Sequence, residues 1–121
     1  MELFDVTERA LEVALHGTEV RQTVLANNLA NVNTPGFKRS DVEFGSELAA
    51  ALDAGRSPDG VASVQPLVTT DSSTSMRLDG NNVDVDREST YVAENQLQFQ
   101  ALMGVVTKNL TTMSSLITGA R

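Results

Sequence analysis

Apolar positions along the chain fall into two long periodic stretches separated by a mixed centre. From about residue 3 to 33, Phe4, Leu11, Leu15, Leu25, Leu29 and Val32 recur at three-, four- and seven-residue steps, the spacing of one helix face. A second row, Leu3, Val6, Ala10, Val13, Val20 and Val24, runs beside the first. Together the rows span more than half of the helix circumference, wider than the stripe of an ordinary surface helix. A helix lying between two layers of one domain would explain that width. The chain offers only one other long helix, however, so other subunits are expected to cover the remainder. Asn33-Thr34-Pro35-Gly36 ends the pattern: Pro disfavours helical backbone at Thr34, Gly allows the turn, and Asn33 is a candidate left-handed cap.

The second stretch, from about Arg87 to Thr118, carries the cleaner period. Val92, Phe99, Val106 and Met113 repeat every seven residues, and Asn95, Leu102, Asn109 and Leu116 fall three residues later. Met103, Leu110 and Ile117 flank this seam. Four heptads predict a coiled-coil helix in which Asn95 and Asn109 fix register at core positions, unless both lie at a solvated seam edge. In the centre, Ser46 to Ala54 predicts a short helical turn and Val61–Val68 has strand-like content. Met76-Arg77-Leu78 and Val83-Asp84-Val85 alternate around Asp79-Gly80, as a small hairpin would. The expected fold is therefore mainly α. Two long terminal helices form a coiled-coil-like hairpin, joined by an irregular acidic middle with a small β-hairpin. The expected boundaries are 1–34, 35–86 and 87–121, as one structural unit.

Composition narrows the function classes. Of 121 residues, 40% are hydrophobic but only 4% aromatic, so the apolar content is aliphatic and suits helix seams better than a thick interior. The absence of Cys removes disulfides, thiol nucleophiles and thiolate zinc sites, and His16 alone is too few imidazoles for a metal or triad site. A hydrogen bond at a helix interface is the better expectation for His16. The net charge of −7 is concentrated in residues 41–90, where ten acids face three arginines, so no broad basic surface for nucleic acid is expected. No segment approaches the roughly 18 apolar residues of a membrane span. Met1 to Arg9 carries three acids before its first base, unlike a cleavable signal peptide.

Asp79, Asp84, Asp86 and Glu88 form the densest acidic cluster. A calcium loop counted from Asp84 would need Gly where Ser89 stands, and one counted from Asp79 puts Val83 at a ligand position. A turn followed by acids that oppose the positive end of a helix explains the cluster better. Neither a catalytic pocket nor a cofactor site is expected.

The most unusual stretch is Ala26-Asn27-Asn28-Leu29-Ala30-Asn31-Val32-Asn33-Thr34-Pro35-Gly36-Phe37-Lys38-Arg39. Asn is a poor interior helix former, so four in seven residues is costly. A solvated, fraying end explains Asn33 but not Asn27. Amides set between Leu25, Leu29 and Val32 suit an intersubunit contact, where each can donate and accept, with Phe37 folding back as an anchor. This stretch resembles the N-terminal signature of the bacterial flagellar axial proteins, the rod and hook group. Asn81-Asn82-Val83-Asp84-Val85-Asp86-Arg87-Glu88 before a heptad helix is similar to the second signature of the small proximal-rod members. Ser89-Thr90 departs from that pattern, which has a larger apolar residue there. The resemblance covers the chain apart from a variable stretch, 50–75.

The resemblance implies a structural rod subunit, not an enzyme, with no cofactor. It implies export by the flagellar type III apparatus without cleavage, and a place in the basal body within the periplasmic space. It also implies helical polymerisation through the terminal helices, which form part of the drive shaft and of the export-channel wall. The partners so implied are copies of itself, other flagellar rod proteins, and the export-gate and basal-ring adaptor proteins. Assembly contacts are then expected at Leu11, Leu15, Leu25, Asn27, Asn28, Leu29, Asn31, Val32, Asn33 and the Pro35-Gly36-Phe37 turn. On the second helix they are expected at Val92, Asn95, Phe99, Leu102, Val106, Asn109, Leu110, Met113, Leu116 and Ile117. Asn27, Asn31, Asn95 and Asn109 would set register. Two alternatives stay open: another rod subunit of the same family, or a cytosolic two-helix adaptor or export chaperone whose helices are stable as an isolated hairpin.

Overall fold

The computed structural model describes residues 2–72 and 77–119. Its elements are α1 (Glu2–Ala30), β1 (Ser40–Glu43), α2 (Gly45–Asp53), α3 (Pro58–Ala62), β2 (Leu67–Thr70) and α4 (Val85–Gly119). At 1.5 Å per residue, α1 is about 43 Å long and α4 about 52 Å. The two pack antiparallel: Asn28 meets Glu88, Thr18 meets Asn95, and Leu11 lies opposite Val106.

Helix α1 lies between two layers. Its first apolar row, with Leu11, Leu15 and Leu25, is half-buried to fully buried, and Leu11 and Leu15 face α4. Its second row closes a small core: Val13 and Ala14 pack with Val42, Phe44, Leu48, Ala51, Val61 and Val64, bordered by Val6, Ala10, Val20 and Val24. The middle of the chain therefore covers much of the surface that the sequence assigned to other subunits. One contact sets the separation of the layers. A Cβ placed on Gly17 would lie 2.6 Å from the Phe44 ring, so only glycine lets that ring rest on α1.

The two strands pair antiparallel, from Ser40 opposite Thr70 to Glu43 opposite Leu67. This small sheet lies upstream of the hairpin expected at 76–85. Met76 is outside the described residues, Arg77–Gly80 form a turn, Asn81–Val83 are buried, and Val85 already begins α4. The physical reason is that the side chains of Asn81 and Asn82 bind backbone of other segments where a strand partner would have been. Val61 also departs from its strand-like reading, since it sits in α3. Among the described residues, no helix is long and apolar enough to cross a membrane.

Candidate functional site

The two signature segments meet at one end of the α1–α4 hairpin and tie each other into a buried polar knot. Helix α1 stops at Ala30, and the carbonyls of the turn that follows have no helix to satisfy them. Asn81 supplies a donor. Its Nδ2 reaches the carbonyls of Asn31, Val32 and Thr34 at 3.0, 3.1 and 2.9 Å, while its Oδ1 accepts from Val83 N at 2.7 Å. With two hydrogens for three carbonyls, one hydrogen is shared. Gly36, at φ 72°, then turns the chain so that its N–H donates to Asp79 O at 2.8 Å. Asn33 does not adopt the left-handed cap expected of it, since no described residue other than glycine has positive φ.

Asn28 and Glu88 form the centre of the knot, both fully buried. Asn28 clasps the backbone of Ser40 through Nδ2 to O at 2.7 Å and N to Oδ1 at 3.0 Å, and donates to Glu88 Oε2 at 3.0 Å. The other Glu88 oxygen takes the Nε–H of Arg39. Arg39 N donates to Asn82 Oδ1 at 2.7 Å, and Asn82 Nδ2 donates to Asp71 O at 2.8 Å. Each large buried group in this chain of contacts has a partner, the condition under which burying a charge is tolerable.

The knot is also charge-matched. Asp41 receives Arg21 Nε at 3.0 Å, Arg39 Nη2 at 3.3 Å and its neighbour Val42 N at 2.7 Å. Burial opposes the Asp41 carboxylate, but Arg21, the Val42 N–H and Arg39 outweigh it and hold its pKa below the usual value. Burial likewise opposes the Arg39 cation, and Glu88 and Asp41 outweigh it, raising an already high pKa. Tyr91 completes the wall: the guanidiniums of Arg21, Arg39 and Arg87 lie 5.7, 5.4 and 5.7 Å from its ring centre.

Asp84 caps α4, accepting from Asp86 N and Arg87 N at 3.0 and 3.3 Å. Among the described residues no group of His, Asp or Glu is arranged to hold a metal. His16 is exposed and forms no hydrogen bond among the described residues, so the expected interface bond is not made. Ser89 and Thr90 are exposed, and their departure from the signature leaves no gap in the seam.

The opposite end of the hairpin is unlike the knot. Phe4, Leu110, Leu116 and Ile117 are 70%, 61%, 69% and 72% exposed, and Met113 is nearly half-exposed. Residues 111–119 are exposed throughout. Residues 109–119 carry no charge, and large apolar side chains exposed there are the kind of surface that marks an interaction site.

A model of the Flagella basal body rod protein family matches residues 9–38, from α1 through the turn. The chain is also 33% identical, over 129 residues that include all of both chains, to the Flagellar basal body rod protein FlgB of Bacillus subtilis strain 168. The chain belongs to the flagellar basal-body rod protein family. It is 32% identical to FlgB of Escherichia coli K12, over 97% of this chain and 96% of that one. It is 33% identical to FlgB of Borreliella burgdorferi over 84% of each. Members of the family are structural and not enzymatic, and the chain is a structural subunit of the basal-body rod of the flagellum.

The expected assembly residues divide into three groups by burial. Leu25, Asn28 and Asn95 are buried inside the subunit. Asn95 Nδ2 donates to Thr18 O and Gln22 Oε1, both at 2.9 Å, so it aligns α4 with α1 of its own chain. Val92, Phe99, Leu102, Val106 and Asn109 are half-buried in the same seam. Leu29, Asn31, Val32 and Phe37 are half-buried, and Asn31 donates back to Asn27 O at 2.8 Å. Asn27, Asn33, Pro35, Gly36, Leu110, Met113, Leu116 and Ile117 are exposed. Sequence reasoning missed Arg21, Arg39, Asp41 and Tyr91, and it took Glu88 only for an acid opposing the positive end of a helix. A signal for Glu88 was present. It lies seven residues before Asn95, so the seam row of Asn95, Leu102 and Asn109 extends back to it.

Proposed function

We propose that this chain is a subunit of the proximal rod, polymerising with helical symmetry through its terminal helices to form part of the drive shaft and of the channel wall within it. The observation that carries the reading is the contrast between helix ends. The knot end is closed inside the subunit, whereas Phe4, Leu116 and Ile117 are left open by the chain itself. On this reading 1–34 and 87–121 are the axial segments and 35–86 is the segment that braces them. The chain reaches the periplasmic space through the flagellar type III apparatus without cleavage. It meets copies of itself, other rod proteins, and the export-gate and basal-ring adaptor proteins below. Its free end, with Leu110, Met113, Leu116 and Ile117, makes the apolar contacts.

The test is to express the tagged chain in a flagellated host that lacks it and to purify basal bodies. The chain should copurify and restore swimming, and recovery only from the cytosol would overturn the proposal. Hydrogen exchange on the dilute monomer separates the adaptor alternative: the start of α1 and the end of α4, away from the knot, should exchange freely, and full protection there would favour a self-sufficient two-helix adaptor.

A further inference from the structure

A groove runs along one side of the α1–α4 hairpin in two stretches. The first, of about 500 Å3, is lined by Glu19, Gln22, Asn95, Phe99 and Gln100. The second, of about 360 Å3, is lined by Leu11, Leu15, Val106, Leu110 and Met113, with Glu8 and Glu12 at its edge. Glu8, Glu12 and Glu19 are spaced at four and seven residues, so one edge of the whole groove is acidic. Glu8 and Glu19 form no ion pair among the described residues.

The far face of α4 is complementary. From Asn95 to Gly119 the only charged residue is Lys108, and it has no ion-pair partner among the described residues. Leu97, Ala101, Gly104 and Lys108 recur at steps of four, three and four, so they form one stripe, turned away from the seam. Leu97 in that stripe is 67% exposed. A Cβ on Gly104 would meet nothing within 4 Å, so this chain gives no reason for a helix-weakening glycine there. The hydroxyls of Thr107, Thr111 and Thr112 donate to carbonyls of their own helix.

We infer that the far face of α4 in a second copy of this chain docks in the groove, and that its Lys108 ammonium pairs with the Glu19 carboxylate. Each charge then gains the ion-pair partner that it lacks among the described residues of its own chain. Gly104 lets the incoming backbone approach closely. Groove and stripe are different surfaces, so the contact is head-to-tail, the kind that extends as an open helix wherever its rotation does not close a ring. The inference rests on the rod reading above and deepens it to a pair of surfaces.

The chain has two lysines, Lys38 and Lys108, and this makes a direct test practical. Basal bodies carrying the unaltered chain would be treated with a water-soluble carbodiimide, which joins an amine to a carboxylate in contact, and the linked peptides sequenced. The expected product joins Lys108 to Glu19, and Lys108 faces away from the groove of its own chain. Lys108 left unlinked, or linked only elsewhere, overturns the docking. In parallel, Lys108→Glu should reduce recovery of the chain in basal bodies at least tenfold, and Glu19→Lys in the same chain should restore it. Unchanged recovery for Lys108→Glu, or no restoration by the swap, also overturns it. Absence of the unaltered chain from basal bodies refutes the rod reading itself.

Discussion

The two ends of the α1–α4 hairpin solve opposite problems. At the knot, Asn28, Asn81 and Glu88 are polar, fully buried and bonded within the subunit. At the free end, Phe4, Leu116 and Ile117 are apolar, exposed and bonded to nothing. A stable monomer would normally bury the second set and expose the first. The inversion shows where this chain fixes its own geometry and where it leaves apolar surface open. Buried amides, which tolerate only one geometry, position the helices. The apolar tips, which tolerate many, stay uncovered by the chain itself.

That contrast can be tested from its strongest side. Glu88→Ala strands the Arg39 guanidinium and the Asn28 amide in a buried site, and should lower unfolding free energy by about 3–5 kcal/mol. Urea unfolding of the purified chain measures this, and a loss below about 1 kcal/mol would show that the knot is not what holds the hairpin. Next, Gly17→Ala drives a methyl into the Phe44 ring and should cost about 1–3 kcal/mol by overpacking. The paired change Gly17→Ala with Phe44→Leu should recover part of it.

A smaller effect is expected with pH. Because Asp41 has a lowered pKa in the folded state, its contribution is present above the unfolded value of about 3.9 and is lost as pH falls through the folded value. Stability should therefore drop below about pH 4, and Asp41→Asn should flatten that part of the profile. The smallest effect belongs to the free end. Leu116→Ala with Ile117→Ala should change monomer stability by less than about 0.5 kcal/mol, yet prevent recovery in basal bodies. A large loss of monomer stability would erase the distinction between the two ends.

Much of this was legible in the sequence. The heptads of α4 and the double row of α1 gave the hairpin, because helical periodicity is a local property. The width of α1 was read as needing cover beyond α4, and that cover was assigned to other subunits. What could not be read was that the middle supplies the second layer, because its apolar residues, Val42, Phe44, Leu48, Val61 and Val64, are scattered and form a face only when folded. The misplaced hairpin has a similar cause. Asn81 and Asn82 sit in a sequence that alternates like a strand, but their partners are backbone groups far away in the chain. The amides of Asn28 and Asn31 lie in one Asn-rich run and have unrelated roles, one clasping Ser40 and the other folding back on its own helix.

The knot also has a consequence for time. Asn28 is joined to Glu88 across 60 positions and Asn81 to Asn31 across 50. If the chain is threaded through a narrow pore with its N-terminus leading, α1 arrives with both apolar rows bare and cannot be locked until residues 81–95 have followed. Such long-separation contacts close slowly and late. The subunit would therefore remain pliable throughout its passage and become rigid only on arrival, with its last tie made after nearly all of the chain has come through.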